Sequence, residues 1–493
     1  MTRPCPRRRL LPILVLTAMV AAPAATGAAG EPASDGWIAL FDGRSMNGWK
    51  AAENPDTWRV ADGCLVAQGP RSHLFYTGPV ADHDFRDFDL VAEVRTGPGA
   101  NSGIFFHTAW QEKGWLANGY EVQINHTHSA SDDYRELKLT GSLYAVRNIY
   151  AACARDGEWF RLRVRVVGKR IRVWVNDYPT VDYVEPADPP RPKRPGRVLS
   201  RGTFALQGHD PGSRVAFRSI RVRPLPDDAD PAAEPRAATA GYGVTPEAMD
   251  RLGLAFVPVI DYHVHLRGGM TVEKAMARQA VTGVNLGVLR NIGTGWPIET
   301  DAQLKAFLDG VEGRPVFVGL QVNDRDWMTK HARHLLGRLD YVLGDTMIMP
   351  MPDDNSPPVK LWQADKYTIT DPEAWMKRYV QHNLRVLGEP ITILANPTWL
   401  PPPVKDRYDE LWTEARMRKV IRAAVENGVA LEINARSGYP RERFIRLAKQ
   451  MGATFSFGTN NFNDKPIDMG RCLEAVKRYS LTKDDVYVPA PKP

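Results

Sequence analysis

A predicted strand near the middle of the chain carries three side chains that can bind a metal ion. Side chains alternate along residues 256–266, so Asp261, His263 and His265 share one face of that strand. Two neutral imidazoles and a carboxylate can hold a divalent cation, which activates water or polarises a carbonyl or phosphoryl oxygen. The motif predicts a metal-dependent hydrolytic site if other strands complete it.

A second set of polar side chains lies on predicted strands in the first half of the chain. Within residues 120–124, Glu121 and Gln123 share one strand face, and the opposite face is apolar. A carboxylate beside an amide suits the binding of hydroxyl groups and proton transfer. Trp49 follows a turn-rich segment, where its indole would be available to stack on the apolar face of a sugar ring. These residues favour a carbohydrate site.

The first half of the chain has the pattern of a β-sandwich. From residue 37 to about residue 225, short alternating or aromatic runs are broken by Gly, Asn and Asp, with hardly any helical periodicity. Residues 161–167 and 170–175, on either side of a Gly-Lys pair, predict a hairpin. Residues 226–244 are rich in Pro, Ala and Asp and lack apolar periodicity, which predicts a linker.

Strand and helix patterns alternate from residue 245 to about residue 485. Seven predicted strands, the fourth at Asp345–Pro350, indicate a (β/α)7-type barrel of parallel strands. Site residues in such barrels come from the C-terminal ends of the strands. The His-x-His strand is the first of the seven, and Glu432 lies on the sixth. The predicted fold is therefore multidomain: an N-terminal all-β sandwich at 36–225 followed by an α/β barrel.

The first 30 residues have the composition of a secretory signal peptide. Four arginines precede an apolar run over residues 10–20, and small residues follow. We therefore expect an exported protein, periplasmic or extracellular. Removal of this segment lowers the formal charge from +7 to +3, so we expect no nucleic-acid partner. No later apolar stretch reaches about 18 residues, so no integral membrane segment is expected after cleavage. The oligomeric state stays open.

The barrel resembles the polymerase and histidinol phosphatase (PHP) metal-dependent family, on the evidence of its seven strands and its opening His-x-His. That family offers His before Pro on the fifth strand, and Asp and His on the last. The matching residues here are Asn396, Asn460 and Phe462, which bind transition metals poorly or not at all.

The resemblance therefore implies a depleted, PHP-like site in the barrel. His263, His265 and Glu432, with Asp261 nearby, could hold a single divalent metal such as zinc or manganese. The alternative is a barrel that binds a ligand, or serves as structure, without catalysing.

The sandwich resembles the 3-keto-disaccharide hydrolase family, which has a concanavalin-like jelly-roll fold. The motifs that carry the resemblance are Asn101–His107, Gly119–Ile124, Thr140–Tyr144 and Gly202–His209. The resemblance covers residues 36–225 and implies cleavage of glycosides whose sugar is oxidised at C3. A ketone there makes the C2 hydrogen acidic, so that a base can remove it and the glycosidic oxygen can leave by elimination.

Such a reaction needs a base near C2 and donors that hold the sugar. We predict that Glu121 or His209 is the base. The predicted substrate-binding residues are Trp49, Asn101, His107, Gln123 and Tyr144. Two alternatives remain open, a carbohydrate-binding sandwich without catalysis and a metal-dependent hydrolase in the barrel. A disulfide between Cys64 and Cys153 is possible in an exported protein.

Overall fold

The computed structural model describes residues 35–131, 134–191, 194–238, 241–254, 256–350 and 358–490. The predicted signal peptide lies outside these residues. In the described part of the chain, no helix is long and apolar enough to cross a membrane. The three described cysteines are buried free thiols, so Cys64 and Cys153 do not form the disulfide considered above.

Residues 38–224 form the predicted sandwich. Its strands, in chain order, are β1 (Ile38–Ala39), β2 (Trp49–Ala52), β3 (Trp58–Ala61), β4 (Cys64–Ala67), β5 (Ser72–Tyr76), β6 (Phe88–Thr96), β7 (Asn101–Thr108), β8 (Tyr120–Asn125), β9 (Ser129–Ser131), β10 (Tyr134–Arg135), β11 (Phe160–Val167), β12 (Arg170–Val175), β13 (Tyr178–Val184), β14 (Thr203–Gly208) and β15 (Val215–Pro224). Short 3-10 helices span Pro55–Thr57 and Val80–His83.

Two antiparallel sheets make up the sandwich. The larger has the order β13-β12-β11-β6-β15-β4-β3, with β1 beside β15, and the smaller has the order β2-β5-β14-β7-β8. Apolar side chains of the larger sheet, such as Leu90 and Val164, share one core with Ile104 and Phe106 of the smaller sheet. The predicted hairpin is confirmed as β11 and β12, which pair antiparallel. This jelly-roll architecture is the predicted one.

A closed barrel of parallel strands follows the sandwich. Its strands are β16 (Ile260–His265), β17 (Asn285–Ile292), β18 (Phe317–Val322), β19 (Tyr341–Gly344), β22 (Ile393–Leu394), β23 (Ala430–Asn434) and β24 (Phe455–Gly458), with a two-stranded arm of β20 (Ile348–Met349) and β21 (Val359–Lys360). The fourth barrel strand is thus not at Asp345–Pro350 as predicted. The apolar run Tyr341–Gly344 forms it, and the chain then leads into the arm.

Helices surround the barrel. They are α1 (Pro246–Leu254), α2 (Val272–Thr282), α3 (Asp301–Asp309), α4 (Trp327–Lys330), α5 (Arg333–Leu336), α6 (Pro372–Leu387), α7 (Tyr408–Leu411), α8 (Glu414–Glu426), α9 (Glu442–Gln450) and α10 (Gly470–Arg478), with 3-10 helices at Ala364–Lys366 and Lys405–Arg407. Side-chain caps start several of them: Asp371 accepts hydrogen bonds from the first-turn amides of α6, and Thr271 does so for α2.

Candidate active site in the sandwich

A cavity of about 240 Å³ opens on the outer face of the smaller sheet. Five of the residues predicted for the carbohydrate site line it, namely Asn101, Glu121, Gln123, Tyr144 and His209. Other lining residues, which no sequence pattern predicted as site residues, are Trp115, His128, Glu136, Arg194, Arg197 and Gln207. The cavity therefore gathers side chains from three neighbouring strands and from the segments around residues 136–144 and 194–197.

Pairing between β7 and β8 places the polar side chains of the cavity. Phe105 lies opposite Glu121, and Gly103 lies opposite Gln123. Because Glu121 and Gln123 are two residues apart on β8, they share one face. Gln123 donates from Nε2 to Oδ1 of Asn101 at 2.9 Å, so the two amides are fixed relative to each other. The alternation of side chains along β8 predicted that Glu121 and Gln123 share one strand face, and the structure shows this shared face.

Glu121 has the electrostatic environment of a proton-transfer group. Its side chain is 8 % exposed, and its Oε1 accepts a hydrogen bond from Nε2 of Gln207 at 3.0 Å. Burial raises the pKa of this carboxyl to about 7, although the Arg197 guanidinium and the Gln207 amide act in the opposite direction. A carboxyl with a pKa near neutrality can both take up and release a proton at physiological pH.

Two arginines bring positive charge to the cavity. Nη1 of Arg197 donates to the carbonyl oxygen of Tyr144 at 3.1 Å, and Nη1 of Arg194 donates to the carbonyl oxygen of Leu116 at 3.0 Å. Arg197 is buried, and this burial lowers its pKa. Neither arginine lies on a strand, and the Pro- and Arg-rich segment that holds them has no periodicity. Sequence patterns therefore offered no signal for them.

His209 lies beside a second histidine and an aspartate. Its Nδ1 donates to Oδ2 of Asp210 at 2.7 Å, and the His128 and His209 rings have centroids 5.3 Å apart. Burial lowers the pKa of His209, against the opposing effect of the Asp210 carboxylate. Ligand-type atoms of His128, His209 and Asp210 all lie within 4.8 Å of one another. In the described part of the chain, this is the one such group of three or more His, Cys, Asp or Glu residues.

The structure does not bring Trp49 to the cavity. Its indole is 7 % exposed, donates from Nε1 to the carbonyl oxygen of Leu40 at 2.7 Å and packs edge-on against Tyr76. Trp49 is therefore a core residue, and its turn-rich neighbourhood was a poor guide to its exposure. The indole on the cavity wall is that of Trp115, which is 40 % exposed and lies 5.1 Å from the His209 ring between centroids.

His107 also lies away from the cavity lining, contrary to its predicted role. Its Nε2 donates to the carbonyl oxygen of Arg86 at 2.8 Å, and its Nδ1 accepts from the amide of Ser200 at 3.2 Å. Both ring nitrogens are therefore used by the backbone. Burial lowers the pKa of His107 to about 4, so it stays neutral at physiological pH. Its interactions are those of a structural histidine that joins neighbouring segments.

The predicted metal ligands of the barrel are all buried and partly engaged by the protein. The Asp261 carboxylate accepts hydrogen bonds from the amide and hydroxyl of Thr459 at 3.0 and 2.6 Å, and from the amide of His263 at 3.1 Å. Glu432 accepts from Nδ1 of His263 at 2.6 Å and from the amide of Asn396 at 2.7 Å. Both carboxylates therefore accept hydrogen bonds from the protein itself.

The predicted barrel ligands do not form a closely spaced group of three or more. His263 and Glu432 are hydrogen-bonded, but Asp261, His263, His265 and Glu432 are not among the groups of at least three His, Cys, Asp or Glu residues whose ligand atoms all lie within 4.8 Å of one another. Nε2 of His263 and both side-chain polar atoms of Asn396 are nevertheless buried without a hydrogen-bond partner. Phe462, at a position where the PHP pattern has a ligand, is 53 % exposed. A metal in the barrel stays a prediction.

Comparison with known proteins identifies the relatives of the sandwich. Residues 36–223 match the family described as the 3-keto-alpha-glucoside-1,2-lyase-like domain. A 3-keto-disaccharide hydrolase of Bacteroides thetaiotaomicron is 26 % identical over 235 residues, which are 39 % of this chain and 79 % of the relative.

Solved structures match the same part of the chain. A candidate glycosyl hydrolase from Parabacteroides distasonis is 21 % identical, covering 39 % of this chain and 95 % of its own, with a TM-score of 0.34. A carbohydrate-binding module from Bacillus subtilis is 14 % identical, covering 36 % and 95 %, with a TM-score of 0.24. The resemblance predicted for the sandwich is confirmed, whereas the PHP-like nature of the barrel stays a prediction. Over almost its whole length, the sandwich is similar to the 3-keto-alpha-glucoside-1,2-lyase-like domain.

Proposed function

We propose that the sandwich cavity cleaves glycosides whose sugar carries a ketone at C3. The observation that carries this proposal is Glu121, a buried carboxyl with a pKa of about 7 on the wall of a polar cavity. The similarity to a 3-keto-disaccharide hydrolase supports a carbohydrate substrate. We further propose that the protein acts outside the cytoplasm, because its first 30 residues have the pattern of a signal peptide.

The reaction proceeds by elimination and then hydration. The Glu121 carboxylate removes the proton from C2, the C1–O bond to the leaving group breaks, and a C1=C2 double bond forms next to the ketone. The proton on Glu121 passes to the leaving oxygen. Water then adds its hydroxyl to C1, while Glu121 takes the remaining proton of the water and returns it to C2. Together the two stages amount to hydrolysis.

Neighbouring groups hold the sugar and its developing charge. Removal of the C2 proton places negative charge on the keto oxygen, which a nearby positive charge stabilises. The guanidinium of Arg197 supplies such a charge close to Glu121, where it opposes the rise in the pKa of that carboxyl. The paired amides of Gln123 and Asn101 offer donors and acceptors to sugar hydroxyls. Trp115 supplies the apolar face against which the ring can stack.

The test is turnover of a 3-keto-disaccharide by the full chain, followed as release of the leaving sugar. We expect Glu121→Gln to lower kcat by about 10²- to 10⁴-fold, the usual contribution of a general base. Glu414→Gln is the matched control, because Glu414 pairs with Arg418 within α8 and neither residue lines the cavity. Deuterium uptake at C2 in heavy water should disappear with the same variant.

Two results would contradict the proposal. Full activity of Glu121→Gln would remove the base from the mechanism. Tight binding of the 3-keto-disaccharide by the natural protein, without turnover or deuterium uptake, would make the sandwich a carbohydrate-binding module instead.

A further inference from the structure

Arg194 and Arg197 bring more positive charge to the cavity than its own carboxyl groups balance. We infer that the sugar bound in this cavity carries an anionic substituent, a carboxylate or a sulfate ester, which Arg194 binds and Arg197 helps to attract. Both arginines line the same cavity as Glu121. The inference rests on the proposed function for the ketone and for the bond that breaks, but not for the charge of the bound sugar.

Arg197 is a buried arginine without a carboxylate partner. The buried arginines among the described residues of the sandwich are Arg147, Arg170, Arg172, Arg191 and Arg197. Each of the first four forms an ion pair with a carboxylate. Arg197 instead donates to the carbonyl oxygen of Tyr144, and its guanidinium carbon lies 5.5 Å from the centroid of the Tyr144 ring. A buried guanidinium group without a counter-charge is destabilising, so a negative charge that arrives with the substrate would be favoured beside it.

Arg194 adds a second guanidinium group close to the first. It is partly exposed, and like Arg197 it donates to a carbonyl oxygen, that of Leu116, and not to a carboxylate. Burial lowers the pKa of Arg197, the Glu121 carboxylate acts in the opposite direction, and the positive charge of Arg194 lowers this pKa further. Two guanidinium groups at one cavity suit an oxyanion, because each presents several N–H donors in a planar fork.

The acidic residues of the cavity do not neutralise the two arginines. Glu136 forms an ion pair with Lys138, and this pair adds no net charge. Asp210 is bound by His209 and is not a lining residue. Glu121 is uncharged below about pH 7, because burial raises the pKa of its carboxyl group to about 7. Even an ionised Glu121 balances one of the two positive charges, so the other is left for an anionic group of the substrate.

The two arginines divide between the reacting end of the sugar and its far side. Both oppose the rise in the pKa of Glu121, and Arg197 does so more strongly than Arg194. The charge of Arg197 therefore acts near C2, where Glu121 removes the proton, and Arg194 is left for a group farther away. C5 lies opposite C2 on a pyranose ring, and its substituent is a carboxylate in uronic acids and can carry a sulfate ester in hexoses. We therefore assign Arg194 to the substituent at C5.

The experiment compares acidic and neutral sugars that lack the ketone, so the full chain binds them without turnover. The probes are methyl glucuronide, methyl glucoside and methyl glucoside 6-sulfate, and binding is followed by the NMR signals of the ligand. We expect an acidic probe to bind about tenfold more tightly than methyl glucoside at low ionic strength, as one charge-assisted hydrogen bond allows. This advantage should shrink in about 1 M salt. The better of the two acidic probes identifies the anion.

Arg194→Gln should remove the preference for acidic sugars. Its affinity for the better acidic probe should fall about tenfold, to that for methyl glucoside, whose own binding should change little. Arg194→Lys keeps the charge but not the planar fork, and should keep part of the preference. Arg161→Gln is the matched control and should keep all of it, because Arg161 lies on β11 of the larger sheet, pairs with Asp177 and does not line the cavity.

Several outcomes would overturn the inference. They are equal affinity for acidic and neutral probes, or a preference that is unchanged in Arg194→Gln. If that variant fails to fold, the natural protein decides, because a preference that does not respond to salt contradicts an ionic contact. Turnover is measured separately on the 3-keto forms. Acidic sugars that bind but whose 3-keto-glycosides are not cleaved would leave this inference standing and remove the proposed function. Cleavage of neutral 3-keto-glycosides alone would do the reverse.

Discussion

At the scale of single residues, burial of the candidate base Glu121 lowers the free energy of unfolding when its carboxyl group is ionised. The pKa of Glu121 is about 7 in the folded protein and about 4.5 in an unfolded chain. The folded state therefore binds more protons than the unfolded state between these values, and stability falls as pH rises through that range. Above pH 7, the native protein holds a buried carboxylate that burial disfavours.

Replacing Glu121 with Gln should accordingly stabilise the protein at alkaline pH. A pKa difference of this size corresponds to about 3 kcal/mol in the free energy of unfolding at pH 8, and the gain should shrink towards zero below about pH 4.5. Denaturant unfolding at pH 8, 6 and 4.5 measures it. Equal stability of the variant and the natural protein at pH 8 would mean that Glu121 is not desolvated in solution.

Trp115 provides the corresponding prediction for sugar binding. Its indole lies on the cavity wall and is 40 % exposed, so its removal leaves no void in a core. Trp115→Ala should raise KM about fivefold, or about 1 kcal/mol, with little change in kcat, because stacking acts on bound substrate and transition state alike. Trp110→Ala is the matched control, since Trp110 is 43 % exposed but does not line the cavity. Equal KM values for the two variants would exclude stacking on Trp115.

At the scale of elements, the close pairing of β7 and β8 fixes where the carboxylate of Glu121 can lie. A Cβ atom at Gly103 would come within 2.6 Å of Oε1 and 2.9 Å of Cγ of Glu121. The backbone of Gly103 is ordinary extended strand, so a side chain at this position would cause no backbone strain. It would instead clash with the side chain of Glu121. The missing side chain at residue 103 is what leaves room for the carboxylate.

Gly103→Ala should therefore disable the site without unfolding the sandwich. The added methyl group displaces the Glu121 carboxylate, and a shift of about 1 Å can cost on the order of 10²-fold in rate. Turnover of a 3-keto-disaccharide and thermal unfolding are measured together. Gly97→Ala serves as the control, because its Cβ would meet only ordinary contacts with Arg214 at 3.5 and 3.6 Å. A Gly103→Ala protein with natural kcat would show that the carboxylate position is not critical.

Sequence patterns predicted the elements that carry alternation and missed those that do not. The shared face of Glu121 and Gln123 follows from period-two strand geometry, and the structure shows it. Arg197 lies in a Pro-rich loop with no period, and His128 lies in the turn after β8, so neither could be placed without tertiary contacts. The exposure predicted for Trp49 is not found, because a turn-rich neighbourhood does not indicate whether a side chain is exposed or packs in the core.

At the scale of the whole molecule, one segment of the sandwich both lines the cavity and contacts the barrel. Residues 136–151 contribute Glu136 and Tyr144 to the cavity and then continue to the barrel. There the amide of Tyr150 donates to Oδ1 of Asn285 at 2.9 Å, and the Tyr150 ring joins an apolar cluster with Tyr262 and other interior residues of the barrel. The composition change near residue 240 predicted two domains, but no sequence pattern indicated that the barrel supports a wall of the sandwich cavity.

A buried ion cluster fastens the two domains close to this segment. Asp250, on α1 and fully buried, accepts hydrogen bonds from Arg147, from Nη1 of Arg191 at 3.2 Å and from the hydroxyl of Tyr183 at 3.1 Å. The two arginines and the tyrosine belong to the sandwich, whereas the aspartate precedes the first barrel strand. Removing the aspartate would leave two guanidinium groups buried without their shared counter-charge.

Asp250→Ala should thus weaken both the fold and the cavity. Breaking a buried pair by deleting one partner costs about 3–5 kcal/mol. Because Arg147 lies in the segment that also lines the cavity, turnover of a 3-keto-disaccharide should fall together with the unfolding temperature.

Glu312→Ala is the matched control: its bond with Arg155 also joins the two domains, at 3.0 Å, but both side chains are at least half exposed. Such exposed pairs contribute less than about 1 kcal/mol. Equal losses in the two variants, measured by thermal unfolding, would show that the buried cluster does not hold the domains together.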